Sequence, residues 1–123
     1  MSPKLLISIV DDEDAAREAI ASLVRSFGFT VKVFSSSAGF LASNCRKLTD
    51  CLIADVRMPG MSGIALFRVL KASERPIPTI LVTAYVDEAV RRSALAEGIK
   101  CYLSKPVAAD LLLECIHHVL DDR

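Results

Sequence analysis

The chain has 123 residues, of which 52% are apolar and 24% charged, and its 15 Lys plus Arg balance 15 Asp plus Glu. A chain of this length buries roughly two-thirds of its unfolded surface, enough for a core without disulfides or a structural metal, and its apolar fraction excludes a disordered polymer. Zero formal charge excludes the global basic field that holds nucleic acid or an anionic membrane surface, so any chemistry must come from local charge.

No apolar run approaches the ~20 residues that cross a bilayer. The start, Met1-Ser2-Pro3-Lys4, leads into an apolar run too short for a signal-peptide core. The expectation is a cytoplasmic protein with one domain over residues 1–123. Cys45, Cys51, Cys101 and Cys115 lack the paired spacing of a zinc site. They read as small apolar residues; a redox switch would require an exposed thiol of low pKa.

In chain order, residues 5–10 form the first apolar, β-rich run. Ala16, Ile20, Leu23 and Phe27 follow at spacings of four, three and four, one face of a helix that Gly28 ends. Residues 31–34 predict a second strand and 37–47 a second helix. A strand over 51–56, a helix over 63–72, and a strand over 79–83 come next. Residues 87–97 predict a fourth helix, closed by Gly98-Ile99 as the first is by Gly28-Phe29. The last strand covers 101–104. The last helix covers 108–120, with Leu112, Ile116, Val119 and Leu120 on one stripe.

Five strand-helix units with continuous apolar central strands predict an α/β fold whose parallel sheet is covered on both faces. Right-handed crossovers make a doubly wound arrangement the economical one, with the ligand site at the carboxyl ends of the strands. The polar interruptions fall there. Asp11 and Asp12 end the first strand, Asp55 nearly ends the third, Thr83 ends the fourth, and Lys105 follows the fifth. Three carboxylates so placed raise one another's pKa unless a cation joins them. Mg²⁺ fits, since it takes one or two carboxylates and accepts a phosphate oxygen.

Val10-Asp11-Asp12-Glu13, the run from Asp55-Val56-Arg57 through Met58-Pro59-Gly60 to Met61-Ser62-Gly63, Thr83-Ala84 and Lys105-Pro106 resemble the motif set of receiver domains of bacterial two-component response regulators. The resemblance covers nearly the whole chain, with each motif at the end of the expected strand. It implies a flavodoxin-like sheet of order 2-1-3-4-5 with five helices. It implies Asp55 as the phosphoacceptor for a phosphohistidine on a sensor histidine kinase or phosphotransfer protein. Mg²⁺ would be held by Asp11, Asp12, Asp55 and the backbone carbonyl of Arg57. Lys105, Thr83 and the amide of Ala84 would bind the phosphoryl group, with a cis bond from Lys105 to Pro106. Tyr102 would be the aromatic that follows Thr83 in a switch, and Arg57 and Tyr85 would flank the phosphoryl group and tune its hydrolysis.

Several of these residues have a plainer reading. Asp11 and Asp12 suit a helix N-cap, Thr83 suits a strand, and Tyr102 suits ordinary packing. Asp55 does not fit that pattern, because an acid in a strand as apolar as 51–56 is costly to bury unpaired. His117 and His118 near a helix C-terminus need no function. The resemblance implies a phosphorylation-controlled signalling domain whose surface of fourth helix, fifth strand and fifth helix responds and can pair two copies. The loop after Asp55 is similar to that of regulators carrying a helix-turn-helix transcription domain, although these residues hold no DNA-reading helix. A phosphorylation-independent pseudo-receiver is one alternative. A Mg²⁺-dependent phosphohydrolase is another, but it would carry an acid where Arg57 stands. A flavin carrier is opposed by acids in the first strand-helix loop.

Overall fold

The computed structural model describes residues 4–121. Five strands, β1 (Leu6–Val10), β2 (Thr30–Phe34), β3 (Cys51–Asp55), β4 (Thr79–Thr83) and β5 (Cys101–Ser104), form one parallel sheet of order β2-β1-β3-β4-β5. The helices are α1 (Asp14–Ser26), α2 (Ser37–Ala42), α3 (Gly63–Lys71), α4 (Glu88–Glu97) and α5 (Ala109–Asp121). This is the predicted fold.

Alternation along the strands divides the core in two. Ile7, Ile9, Cys51, Ile53, Ile80 and Val82 pack against Ile20 and Val24 of α1 and Leu112, Ile116 and Val119 of α5. Val10, Leu52, Ala54 and Leu81 face the other way, onto Phe40 of α2 and Leu66, Phe67 and Leu70 of α3. β3 and β4 are buried at every position, as central strands covered on both faces must be. α4 is the least embedded helix, with Ala94 alone buried.

Several boundaries differ from the periodicity. The helix predicted over 37–47 breaks at Ser43, whose backbone is extended and whose amide and hydroxyl both donate to the Phe40 carbonyl. A short 3₁₀ turn, Asn44–Lys47, follows. Phe27 is the C-terminal cap of α1 rather than a helical residue, with Gly28 beyond it at φ 96°. At Gly98 (φ 112°) the amide donates to Leu95 and that of Ile99 to Ala94, the paired bonds of a Schellman stop.

Candidate functional site

Sheet register brings the site together. Val10 lies beside Ala54, Asp55 beside Val82, and Thr83 beside Ser104, so Asp11, Asp55 and Lys105 emerge at the same sheet edge. Lys105 is held there by its amide bond to the Thr83 carbonyl at 2.8 Å, and the Lys105–Pro106 peptide is cis. Carboxylate oxygens of Asp11, Asp12 and Asp55 lie within 4.8 Å of one another. Asp11 is fully buried, Asp55 is buried, and Asp12 faces solvent.

The Lys105 Nζ sits 2.8 Å from Asp11 Oδ2 and 3.5 Å from Asp55 Oδ2. Burial alone would lower the Lys105 ammonium's pKa, but Asp11 and Asp55 raise it above its ordinary value. Burial pushes the Asp55 carboxyl up and Asp11 adds to the push, with Lys105 offsetting part of it. One ammonium therefore serves two carboxylates. Asp11 Oδ1 accepts the Glu13 amide, while Oδ2 is a buried oxygen whose contact with Lys105 lacks hydrogen-bond alignment. One exposed acid and two buried ones, with an oxygen of buried Asp11 under-satisfied, are the donor set that a small, hard, oxygen-loving cation such as Mg²⁺ accepts. The capping alternative is not what the helix uses, because the N-cap of α1 is Glu13 and no side chain caps there.

The remaining candidates line the rim. Thr83 is buried at the end of β4, and its hydroxyl is spent on Tyr85, accepting from the amide at 3.1 Å and donating to the carbonyl at 3.3 Å. Ala84 and Lys105 border a groove of about 460 Å³ between α1 and the β5–α5 loop, walled by Ala15, Ala16, Ala19 and Pro106. The Arg57 guanidinium lies over the exposed Tyr85 ring, 5.5 Å from its centre, so these two residues stack on each other. Tyr102 is half-buried against the α3 side of the core, with its hydroxyl near the Asp87 backbone at the head of α4. His117 packs edge-on against Phe29, far in sequence from the acidic loops. Among the cysteines, burial and the neighbouring Cys115 push the Cys101 thiol up to about 12, opposite to what a redox switch requires.

Three supports escaped the sequence reading. Ser37, buried at the start of α2, donates to the Met61 carbonyl and ties α2 to the loop after Asp55. Gly63 lets α3 press on β3, since a Cβ there would lie 2.2 Å from the Asp55 carbonyl oxygen. Arg17 reaches back from α1 to the Asp11 carbonyl. Of these, Gly63 stood in the sequence as the predicted start of a helix; just before it the Ser62 hydroxyl caps α3, accepting from the Ala65 amide at 3.1 Å.

Comparison with known proteins agrees with this geometry. The family described as response regulator receiver domain matches residues 7–117. Response regulator protein TodT of Pseudomonas putida is 40% identical over 115 residues, covering 94% of this chain and 51% of that protein. Transcriptional regulatory protein FixJ of Bradyrhizobium diazoefficiens is 32% identical over 120 residues, covering 98% of this chain and 58% of that protein. The chain thus spans about half the length of these relatives. The crystal structure of FixJ-N superposes with a TM-score of 0.85 at 30% identity, covering 98% of this chain and 96% of that one. No helix among the described residues is long and apolar enough to cross a membrane. With its motifs, strand order and relatives in accord, the chain belongs to the response regulator receiver domains of two-component signalling.

Proposed function

We propose that the chain, as one receiver unit over residues 1–123, takes a phosphoryl group from a phosphohistidine onto Asp55 in a Mg²⁺-dependent reaction. The observation that carries this is the convergence of Asp11, Asp12 and Asp55 within 4.8 Å, with one ammonium bridging two of them. Asp11, Asp12, Asp55 and the Arg57 carbonyl would hold the metal. When bound, Mg²⁺ neutralises charge on the transferring phosphoryl group.

A carboxylate oxygen of Asp55 attacks phosphorus, the P–N bond breaks, and its electron pair returns to the imidazole ring of the donor. The product is an acyl phosphate on Asp55. Lys105, already 3.5 Å from Asp55, turns to the new phosphoryl oxygens. Thr83 exchanges its local partner Tyr85 for a phosphoryl oxygen, and the Ala84 amide supplies a second donor. Tyr102 follows Thr83, and the surface of α4, β5 and α5 changes its preference for a partner or a second copy. The shallow burial of α4 suits it to this role. Self-catalysed phosphorylation and slow hydrolysis are the only reactions expected.

The donor is a sensor histidine kinase or phosphotransfer protein, and the alanine-walled groove beside Lys105 has the small residues that let a partner helix approach closely. In a longer protein the output would be transcription, through a DNA-binding domain outside these residues. The stacked Arg57 and Tyr85 shield the acyl phosphate from water and prolong its life. The cytosol is the compartment where these partners meet.

The test is intact mass after incubation with Mg²⁺ and acetyl phosphate. The native chain is expected to gain one phosphoryl group, and the gain is expected to vanish with EDTA and in Asp55→Asn. No gain in a folded sample that binds Mg²⁺ would favour a phosphorylation-independent interaction module instead.

A further inference from the structure

We propose that Arg17 is a positioning residue of the acidic pocket: its guanidinium fixes the peptide between Asp11 and Asp12 and thereby aims Asp12 at the cation. The inference rests on the Mg²⁺-binding reading of that pocket.

Arg17 lies one turn into α1, its amide bonded to the Glu13 carbonyl. Its side chain does not extend into solvent as an arginine on a helix surface ordinarily does. It folds back along the β1–α1 loop until only 14% of it is exposed, whereas its acidic partner Asp14 remains 88% exposed. Nη1 donates to the Asp11 carbonyl at 3.0 Å and Nη2 to Asp14 Oδ1 at 2.7 Å. Glu18 lies 3.9 Å from Nε. The fork therefore joins a backbone oxygen at the end of β1 to a carboxylate in the first turn of α1.

The Asp11 amide is fixed from the other side, donating to the Phe34 carbonyl at 3.1 Å, and Asp11 Oδ1 accepts from Glu13. With Arg17 on the carbonyl, the whole Asp11 unit is held at three points. Asp12 is the next residue. It is exposed, and no hydrogen bond or ion pair among the described residues restrains its side chain. Its direction is thus set by the backbone that Arg17 clamps. Because Asp14 and Glu18 surround the guanidinium, its charge is offset locally and does little to repel a cation. Groups that orient metal ligands in this way typically change metal affinity by about 10- to 100-fold when removed.

Mg²⁺ titrations followed by backbone amide NMR shifts of residues 11–17 test this in the full chain. Arg17→Met and Arg17→Lys are both expected to weaken Mg²⁺ binding by about tenfold while the strand and helix signals keep their native positions. Lysine keeps the charge but cannot bridge both oxygens, so loss in both variants marks positioning rather than electrostatics. Native or tighter binding in Arg17→Met, or native binding in Arg17→Lys, overturns the proposal. Should Arg17→Met fail to fold, Arg17→Lys decides alone, because it keeps the charge: binding weaker by about tenfold supports the role, and unchanged binding refutes it. Asp12→Asn and the native chain guard the underlying reading. If the native chain binds no Mg²⁺, or Asp12→Asn binds as well as native, the metal pocket itself is wrong and the role of Arg17 falls with it.

Discussion

Asp55 is a charge kept in an unfavourable place. Burial, and then Asp11, make its carboxyl hold a proton more tightly in the folded chain than its ordinary value of 3.8 implies. The folded state therefore binds more protons than the unfolded one in that range, and stability falls as pH rises from 3.8 through the folded value. Lys105 has the opposite relation to neutral pH: its raised value means that its ion pairs contribute fully below 10.5 and are lost above it. Removing the Asp55 charge while keeping its shape should relieve the penalty. Asp55→Asn is expected to stabilise the metal-free chain at pH 7 by about 1–2 kcal/mol. The gain should shrink toward zero below about pH 4, where the native carboxyl is protonated as well. Thermal unfolding at the two pH values, followed by circular dichroism, checks both the sign and the trend.

At the scale of elements, two glycines have different reasons to be glycine. Gly98 ends α4 with φ 112°, and an added Cβ would meet Phe67 only at an ordinary 3.6 Å, so the cost of alanine there is conformational. Gly63 opens α3 in an ordinary conformation but has no room, its Cβ falling 2.2 Å from the Asp55 oxygen and 3.1 Å from Leu81. Gly98→Ala should destabilise by about 1 kcal/mol and leave the Asp55 environment native. Gly63→Ala should cost about 3 kcal/mol and shift the Asp55 amide resonance. Urea titration and a two-dimensional amide spectrum distinguish the two. The break in α2 follows similar local logic, since Ser43 satisfies the Phe40 carbonyl twice and leaves the helix nothing to propagate. α4 is tied to α3 by the paired bonds from Arg68 to Glu97 at 2.9 and 2.8 Å. A helix with one buried residue is thereby anchored at its C-terminal end while its start, at Asp87, lies beside Tyr102.

At the scale of the whole molecule, the buried side-chain polar atoms of the two core layers have partners among the described residues, whereas at the sheet edge one ammonium serves two buried carboxylates. Asp11 Oδ2, buried without an aligned donor, and Asp55, poorly compensated, make the folded chain one that a cation would stabilise. Mg²⁺ at about 100 times its dissociation constant should raise stability by about 2.7 kcal/mol, seen as a higher melting temperature. The rise should be lost in Asp12→Asn, which folds without a buried change because Asp12 faces solvent. An equal rise in that variant would place the cation elsewhere.

Much of this was legible in the sequence, because strand-helix alternation and apolar periodicity are local properties that burial on two faces imposes directly. Asp11, Asp55, Thr83 and Lys105 could be placed at one edge for the same reason: a parallel sheet aligns the ends of its strands, whatever their separation along the chain. What the tertiary structure alone decided are contacts between segments with no shared periodicity. Lys105 sits nearer Asp11 than Asp55, Arg57 stacks on Tyr85, and Ser37 holds the Met61 carbonyl. Thr83 turns to Tyr85, Gly63 is needed for space, and Arg17 grips a backbone oxygen six residues earlier. Such contacts depend on side-chain direction and on distances of a few tenths of an ångström, which exist only once the layers have packed.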